Sequence, residues 1–278
     1  MPQDTPFQPA FLTSAANDHV KRWRRLAEST RAVKKFGSTL AEGLHLAQVV
    51  AERRVPAQAV ILSEACSREA QDLARAVVEA ASQPGRAARV YVLARGVYDD
   101  VCPVENGTGI MVEVPVRACT RPAQALDVDA LYLDGVQDAG NVGTLIRTAV
   151  AAGVRHIAAS PDTAGFWTPK VLRAGMGAHF AAHLYENVEP EDLRAMFRGR
   201  RLAADARGGL DLFRTPGWET SGTVWMMGAE GPGLSQRALA VADARFLIDI
   251  EHDCESLNVG AAAAVCLFEQ RRRRLTGS

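Results

Sequence analysis

The chain has 278 residues, 47% of them apolar, and its 32 basic and 32 acidic side chains cancel to zero net charge. This length supports two domains with real cores, no run of about 18 uncharged apolar residues suggests a membrane span, and the charge balance excludes a molecule that is basic all over. The five cysteines (Cys66, Cys102, Cys119, Cys254, Cys266) are scattered and never spaced CxxC, which points to a reduced, cytoplasmic setting and not to a disulfide framework.

Residues 1–18 read as a flexible tail, and 1–14 carry no basic residue of a secretory signal. A basic helical stretch follows, with Lys21, Arg22, Arg24, Arg25, Arg31, Lys34 and Lys35 against Glu28 alone. Such a stripe suits phosphate contact, and it equally suits a solvated helix face. Leu44, Ala47 and Val50 recur at helical spacing within 37–50. Strands are expected at 59–62, 90–93 and 109–114, with an Ala- and Val-rich helix over 68–81 stopped by Pro84-Gly85. Residues 19–116 thus read as a small α/β domain and 117–127 as a linker.

From 128 to 278 the alternation is clearer. Strands are expected at 130–134, 156–159, 201–204, 223–227 and 246–250, with helices at 142–152, 169–174, 190–197, 235–241 and 257–273. Strands alternating with helices imply a parallel, doubly wound sheet with ligands at the C-terminal strand ends. The last helix ends in Arg271 to Arg274, read as a solvated face, and carries small residues from Gly260 to Ala264 suited to close helix packing.

Three polar, glycine-bearing segments follow expected strands: Asn141 to Thr148, Gly228 to Leu234 and Glu255 to Ala261. In a parallel sheet they share one edge, where Asn141, Arg147, Glu230, Ser256 and Asn258 would stand over glycine-rich backbone. Singly each has a plain explanation as a cap or a turn. No G-x-G-x-x-G follows a strand and no Walker A sequence is present. His179 and His183 lack the glutamate of a zinc-protease helix, so no metal is expected and they are read as flanking a strand. Cys254 lacks a partner base and reads as an inert thiol. Trp167, Trp218 and Trp225 read as core or interface.

Leu133-Asp-Gly-Val-Gln-Asp-Ala-Gly-Asn-Val-Gly-Thr-Leu-Ile-Arg-Thr148, Gly228-Ala-Glu-Gly-Pro-Gly-Leu234 and Glu255-Ser-Leu-Asn-Val259 resemble the three motifs of the SpoU/TrmH (SPOUT) family of RNA 2′-O-ribose methyltransferases. Thr168-Pro-Lys-Val-Leu-Arg173 and Gly175-Met-Gly177 echo a further family segment, and the likeness covers about 128–274. More loosely, Arg31 to Gly43 and Glu105 to Ile110 are similar to the L30e-like RNA-binding domain that precedes the catalytic domain in many members. The resemblance implies a deep trefoil knot, a homodimer through the knotted domain, and S-adenosylmethionine held largely on backbone. Met227, Gly228, Ala229, Gly233, Ile248, Ile250, Leu257 and Asn258 would form that site. It implies RNA as partner, ribosomal RNA first and tRNA second, with Arg22, Arg24, Arg25, Arg31, Lys34 and Lys35 as contacts. It gives deprotonation of the ribose hydroxyl to Arg147. Arginine stays protonated, so a second option is that Arg147 grips a phosphate and stabilises the alkoxide. Asn141, Glu230, Ser256 and Asn258 would orient the arginine and the ribose. Three positions depart from the pattern. Ala229 replaces an Asn, Asp249 interrupts an Ile-Pro-Met run beside the adenine pocket, and Gly260 replaces Ser or Ala. Ala229 and Asp249 leave room for one rival, a silent RNA-binding or assembly factor, against which intact Arg147 and Glu230 argue; the other rival is a base methyltransferase on the same scaffold, against which Asn141 and Arg147 with Ser256 and Asn258 argue.

Overall fold

The computed structural model describes residues 8–81, 88–117, 119–219 and 222–276. It divides into two compact units, one running to Arg117 and including Trp167–Phe180, the other comprising Ala118–Phe166 and Ala181–Ser278.

In the first unit, β1 (Ala10–Leu12) pairs parallel with the later strand Arg89–Leu93 and lies within the span read from sequence as a tail. The basic stretch forms two helices, α1 (Asp18–Glu28) and α2 (Thr30–Phe36). Asn17 caps α1 through the His19 amide, and Ser29 both ends α1 and caps α2 through the Ala32 amide. Each cap satisfies an orphan helix-end amide. Val20, Trp23 and Leu26 form the buried face of α1. Then follow β2 (Ser38–Glu42), α3 (Leu44–Glu52), β3 (Ala59–Ser63), α4 (Arg68–Ala81), β4 (Arg89–Leu93), α5 (Arg95–Val101) and β5 (Ile110–Pro115). The sequence reading lacks β2 and α5. The Pro84-Gly85 stop expected after α4 lies outside the described residues. The sheet order is β1-β4-β3-β5-β2, parallel through β1, β4 and β3, with β5 antiparallel to both neighbours.

The buried carboxylate of Glu113 is paired in this unit. Glu113 on β5 accepts from Arg22 Nε at 3.1 Å, Ser38 Oγ at 2.7 Å and Trp23 Nε1 at 2.8 Å. The Arg22 guanidinium also lies over the Phe36 ring, 4.8 Å from its centroid. Arg22 is therefore a fastener between α1 and the sheet.

The second unit contains β6 (Ala130–Asp134), α6 (Ala139–Ala152) and β7 (His156–Ala159). Helix α6 starts three residues earlier than the sequence suggests because Asp138, not Asn141, is its N-cap. The next helix, α7 (Pro169–Ala174), belongs to the first unit, where Leu172 joins the apolar cluster of Ala47, Val50 and Ile110. There Arg173 Nη1 meets the buried Glu42 at 2.7 Å. His179 sits in a buried 3₁₀ turn beside Trp167, and only His183 belongs to a strand. The second unit continues with β8 (His183–Tyr185), a 3₁₀ turn (Pro190–Asp192) leading into α8 (Leu193–Met196), β9 (Arg201–Ala204) and β10 (Leu210–Asp211). It ends with β11 (Val224–Gly228), α9 (Gln236–Val241), β12 (Ala244–Leu247) and α10 (Val259–Thr276).

Every pair in the seven-stranded sheet, ordered β10-β12-β9-β11-β6-β7-β8, is parallel. The α/β class and parallel C-terminal sheet expected from sequence are observed. Strand β12 ends at Leu247, three residues earlier than expected, so the third motif follows a coil.

The C-terminal arginine run is not a solvated face. Arg273 is buried, donates to the carbonyls of Leu212, Phe213 and Thr215, and lies 5.0 Å from the Trp218 ring centroid. Arg272 pairs with Glu269, and Arg274 pairs with Asp129. Trp218 and Trp225 are buried, as expected. The small residues of α10 are used within the chain: a Cβ on Gly260 would come within 2.9 Å of Thr144 on α6.

Candidate active site

Parallel register levels the strand ends. Gly228 on β11 stands beside Asp134 on β6, so the loops leaving both strands share one edge. Asp134 Oδ2 accepts from the Ser235 amide at 2.7 Å, fixing the far end of the loop after β11 to β6. That loop is tight. Ala229 and Gly233 exchange two backbone hydrogen bonds, of 3.2 and 2.9 Å. Gly231 and Gly233 take φ of 81° and 71°, a region costly for side-chain-bearing residues.

At this edge lies a cavity of about 330 Å³, the size of a small-molecule site. Met227, Gly228, Ala229 and Gly233 line it from β11 and its loop. Ile248, Ile250, Leu257 and Asn258 line it from the coil between β12 and α10. All eight residues expected around the cofactor therefore border one cavity. Ala204, Asp205, Ala206, Arg207 and Phe246 complete it from the ends of β9 and β12. Sequence reasoning missed this wall. Its signal was present, a strand followed by Asp-Ala-Arg-Gly-Gly at the same sheet edge.

The rim carries a polar knot of side chains. Glu230 Oε1 accepts from Asn141 Nδ2 at 2.7 Å and from Asn258 Nδ2 at 2.7 Å. Asn258 Nδ2 also reaches Asn141 Oδ1 at 3.0 Å, and Asn258 Oδ1 accepts from the Gly260 amide at 2.9 Å. One carboxylate thus ties the first, second and third motifs together. Ser256 lines the same cavity and is exposed. Arg147 is exposed two turns along α6, outside the cavity lining, and has no hydrogen-bond or ion-pair partner among the described residues. Asp249 points away from the cavity. Its carboxylate lies 3.4 Å from Arg214 Nη2 while Ile248 and Ile250 face inward, so it does not alter the pocket lining. Cys254 is exposed, and its thiol donates to the Ser256 carbonyl. Among the described residues no group of three His, Cys, Asp or Glu side chains could hold a metal ion.

The six basic residues expected to meet RNA divide into two sets. Arg22 is engaged with Glu113, and Arg24 pairs with Asp100 at 3.0 Å. Arg25, Arg31, Lys34 and Lys35 are exposed on α1 and α2, and no described residue pairs with them as a salt bridge.

The pattern of the SpoU rRNA Methylase family matches residues 130–268. The chain is 27% identical to the 23S rRNA (guanosine(2553)-2′-O)-methyltransferase RlmP of Bacillus subtilis, covering 94% of this chain and 98% of that protein. It is 28% identical to an uncharacterized tRNA/rRNA methyltransferase of Synechocystis, covering 97% and 96% of the two chains. The crystal structure of an AdoMet-bound rRNA methyltransferase from Sinorhizobium meliloti superposes with a TM-score of 0.79 at 26% identity, covering 95% of this chain and 97% of that one. With side chains of the three motifs joined at the rim of one cavity and this match over residues 130–268, the chain belongs to the SpoU rRNA methylase family.

Proposed function

We propose that this protein methylates the ribose 2′-hydroxyl of ribosomal RNA, using S-adenosylmethionine. The observation that carries this reading is the Asn141–Glu230–Asn258 cluster at the rim of a nucleoside-sized cavity. Full-length similarity to a relative named for 2′-O-methylation of 23S rRNA, and to a structure described as AdoMet-bound, supports it.

The cavity fits the cofactor chemically. Ile248, Ile250, Leu257 and Met227 offer apolar faces for a purine, and Gly228 leaves backbone bare where a side chain would intrude: a Cβ there would stand 2.1 Å from Gly233 C. When bound, S-adenosylmethionine supplies an electrophilic methyl group on a sulfonium. Asn141, Glu230, Ser256 and Asn258 orient the groups at the rim, since alignment of nucleophile and acceptor supplies much of the rate. Arg147 remains a cation and has five donors. Its guanidinium holds a backbone phosphate and stabilises the developing alkoxide, and the ribose proton leaves to that phosphate or to water. Arg25, Arg31, Lys34 and Lys35 draw the RNA to the first unit by phosphate contacts. A homodimer is part of this reading, with exposed Phe268 and Leu275 on α10 as apolar contacts for a second copy. So is a cytoplasmic location; no described helix is long and apolar enough to cross a membrane.

The test is incorporation of tritiated methyl into ribosomal RNA, followed by nuclease digestion and mass mapping. A 2′-O-methylated nucleotide, lost from the RNA of cells lacking the gene, is expected. A methylated base, or no incorporation into any RNA, overturns the reading.

A further inference from the structure

The turn after β9 brings to the cavity an arginine that none of the three motifs contains. This turn is fixed against β12. The Asp205 amide donates to Phe246 O at 2.9 Å, and Asp205 Oδ2 lies 3.8 Å from Arg245 Nη1. Asp205 Oδ1 accepts from the Arg207 amide at 3.1 Å, which shapes the turn. Gly209, at φ 136°, passes so close to β12 that a Cβ would come within 2.6 Å of Arg245 O. Arg207 is carried between these anchored points and is itself exposed.

From there Arg207 Nη2 donates to Gly231 O at 3.2 Å and to Pro232 O. These carbonyls form the crown of the glycine loop after β11. Asp205, Arg207 and loop residues Ala229, Glu230, Gly231 and Gly233 all line the cavity, so the guanidinium joins two of its walls.

We propose that Arg207 is a positioning residue for the cofactor, strapping the 229–233 loop to the end of β9 and thereby setting affinity for a sulfonium nucleoside. The inference rests on the methyltransferase reading. A loop with glycines at 231 and 233 has open conformations available to it. Holding it closed before the ligand arrives raises the competent fraction, and apparent affinity scales with that fraction. Two carbonyl bonds from one cation are worth about tenfold in affinity at a water-facing rim. The strap does not carry the chemistry. Glu230 has its own bonds to Asn141 and Asn258, so with the cofactor in place the rim is complete. Nor is Arg207 required for the fold, because removing an exposed side chain leaves no buried charge behind.

The experiment compares full-length wild type, Arg207→Ala and Arg207→Lys. S-adenosylhomocysteine is titrated by calorimetry, and methyl transfer into ribosomal RNA is followed as a function of S-adenosylmethionine. For Arg207→Ala the expected result is about tenfold weaker S-adenosylhomocysteine binding, a matching rise in KM for S-adenosylmethionine, and kcat within about twofold of wild type. Ligand-free melting temperature stays unchanged. Lysine keeps the charge without the planar fork and recovers part of the affinity. Unchanged affinity in Arg207→Ala overturns the strap. So does a loss of kcat at unchanged KM, or a fall in ligand-free melting temperature with proportionate loss of every activity. Wild-type protein that binds no S-adenosylhomocysteine overturns the methyltransferase reading, and the strap with it; wild-type binding beside an unaffected variant removes the strap alone.

Discussion

Replacing Gly228 by alanine tests whether bare backbone at the end of β11 forms the cofactor cavity. An added Cβ would stand 2.1 Å from Gly233 C, 2.2 Å from Leu234 N and 2.5 Å from Gly233 O. All three are backbone atoms, so no side chain can swing aside. Ordinary carbon contact needs about 3.5–4 Å, so the loop must retreat by more than an ångström. That movement breaks the paired hydrogen bonds between Ala229 and Gly233, each worth about 1 kcal/mol net. Overpacking of this kind costs about 1–3 kcal/mol. For a unit of this size that lowers Tm by roughly 2–12 °C. The same retreat moves Ala229, Glu230 and Gly233, all of which line the cavity. Binding of S-adenosylhomocysteine should therefore fall by more than the loss of stability explains, with the variant still folded at 25 °C. The assay is calorimetric titration beside thermal melting. A Gly228→Ala protein that binds S-adenosylhomocysteine like wild type refutes the assignment of this loop to the cofactor.

Arg147→Ala should cut single-turnover methyl transfer by about 10²–10³-fold with unaltered Tm and S-adenosylhomocysteine affinity, whereas near-normal rates remove Arg147 from the mechanism. Asn141→Ala and Asn258→Ala should be strongly non-additive in turnover, with a coupling of about 0.5–3 kcal/mol in a double-mutant cycle, because both donate to the same Glu230 oxygen; simple additivity would show that the cluster is not a working unit. Hydrogen bonding from Arg272 lowers the Glu269 carboxyl to about 2 from 4.5, against the opposing effect of burial and with further help from Arg273. A depressed carboxylate pKa stabilises the fold above the usual carboxylate range and ceases to do so as pH falls toward 2. Glu269→Gln should therefore be less stable than wild type at pH 7 by up to about 3 kcal/mol, with the gap closing between pH 4.5 and 2. A gap that stays constant across that range refutes the assignment.

Where local chemistry decided the structure, the sequence was sufficient. β7 and β9 each carry three successive apolar residues behind one polar residue, and α7 opens with Thr168 as cap and Pro169 at its first position. Their bounds agree with the expected ones. β2 was invisible for a physical reason. Ser38-Thr-Leu-Ala-Glu42 is polar at three of its five positions, yet all five are buried. Its polar ends are satisfied by Arg22 and by Arg173, the latter 131 positions from Glu42, and no local pattern reports such partners. Asp249 illustrates the converse: its place in a motif suggested an altered pocket, but the extended coil turns it outward to Arg214. The knot expected from family resemblance has no local residue signature either, because threading is a property of chain order and not of any segment. The candidate site was legible because its groups follow strands β6, β11 and β12 in a parallel sheet, which sends the segments leaving them to one edge. The Ala204–Arg207 wall obeys the same rule but belongs to none of the three motif segments.

Zero net charge poses a question for the proposed RNA substrate, and the arrangement of the arginines bears on it. Part of the basic charge is already engaged within the chain. Arg22 holds Glu113, Arg173 holds Glu42, Arg201 holds Asp243, Arg273 holds Glu269 and three carbonyls, and Arg274 holds Asp129. Such groups cannot turn to a phosphate without leaving a partner carboxylate exposed or buried unpaired. Among the exposed basic residues with no described salt bridge are Arg25, Arg31, Lys34 and Lys35 on α1 and α2, and Arg147 on α6. Counterion release depends on the charges that meet phosphate and not on the molecular total. Reversing Lys34 and Lys35 to glutamate should therefore weaken RNA binding and flatten its salt dependence, measured by filter binding across a salt series, while S-adenosylhomocysteine binding is unchanged. The same reversal at Arg24, already paired with Asp100, should disturb the fold of the first unit without a comparable change in salt slope. If Lys34→Glu with Lys35→Glu leaves the slope intact, the α1–α2 surface is not where the first unit meets RNA.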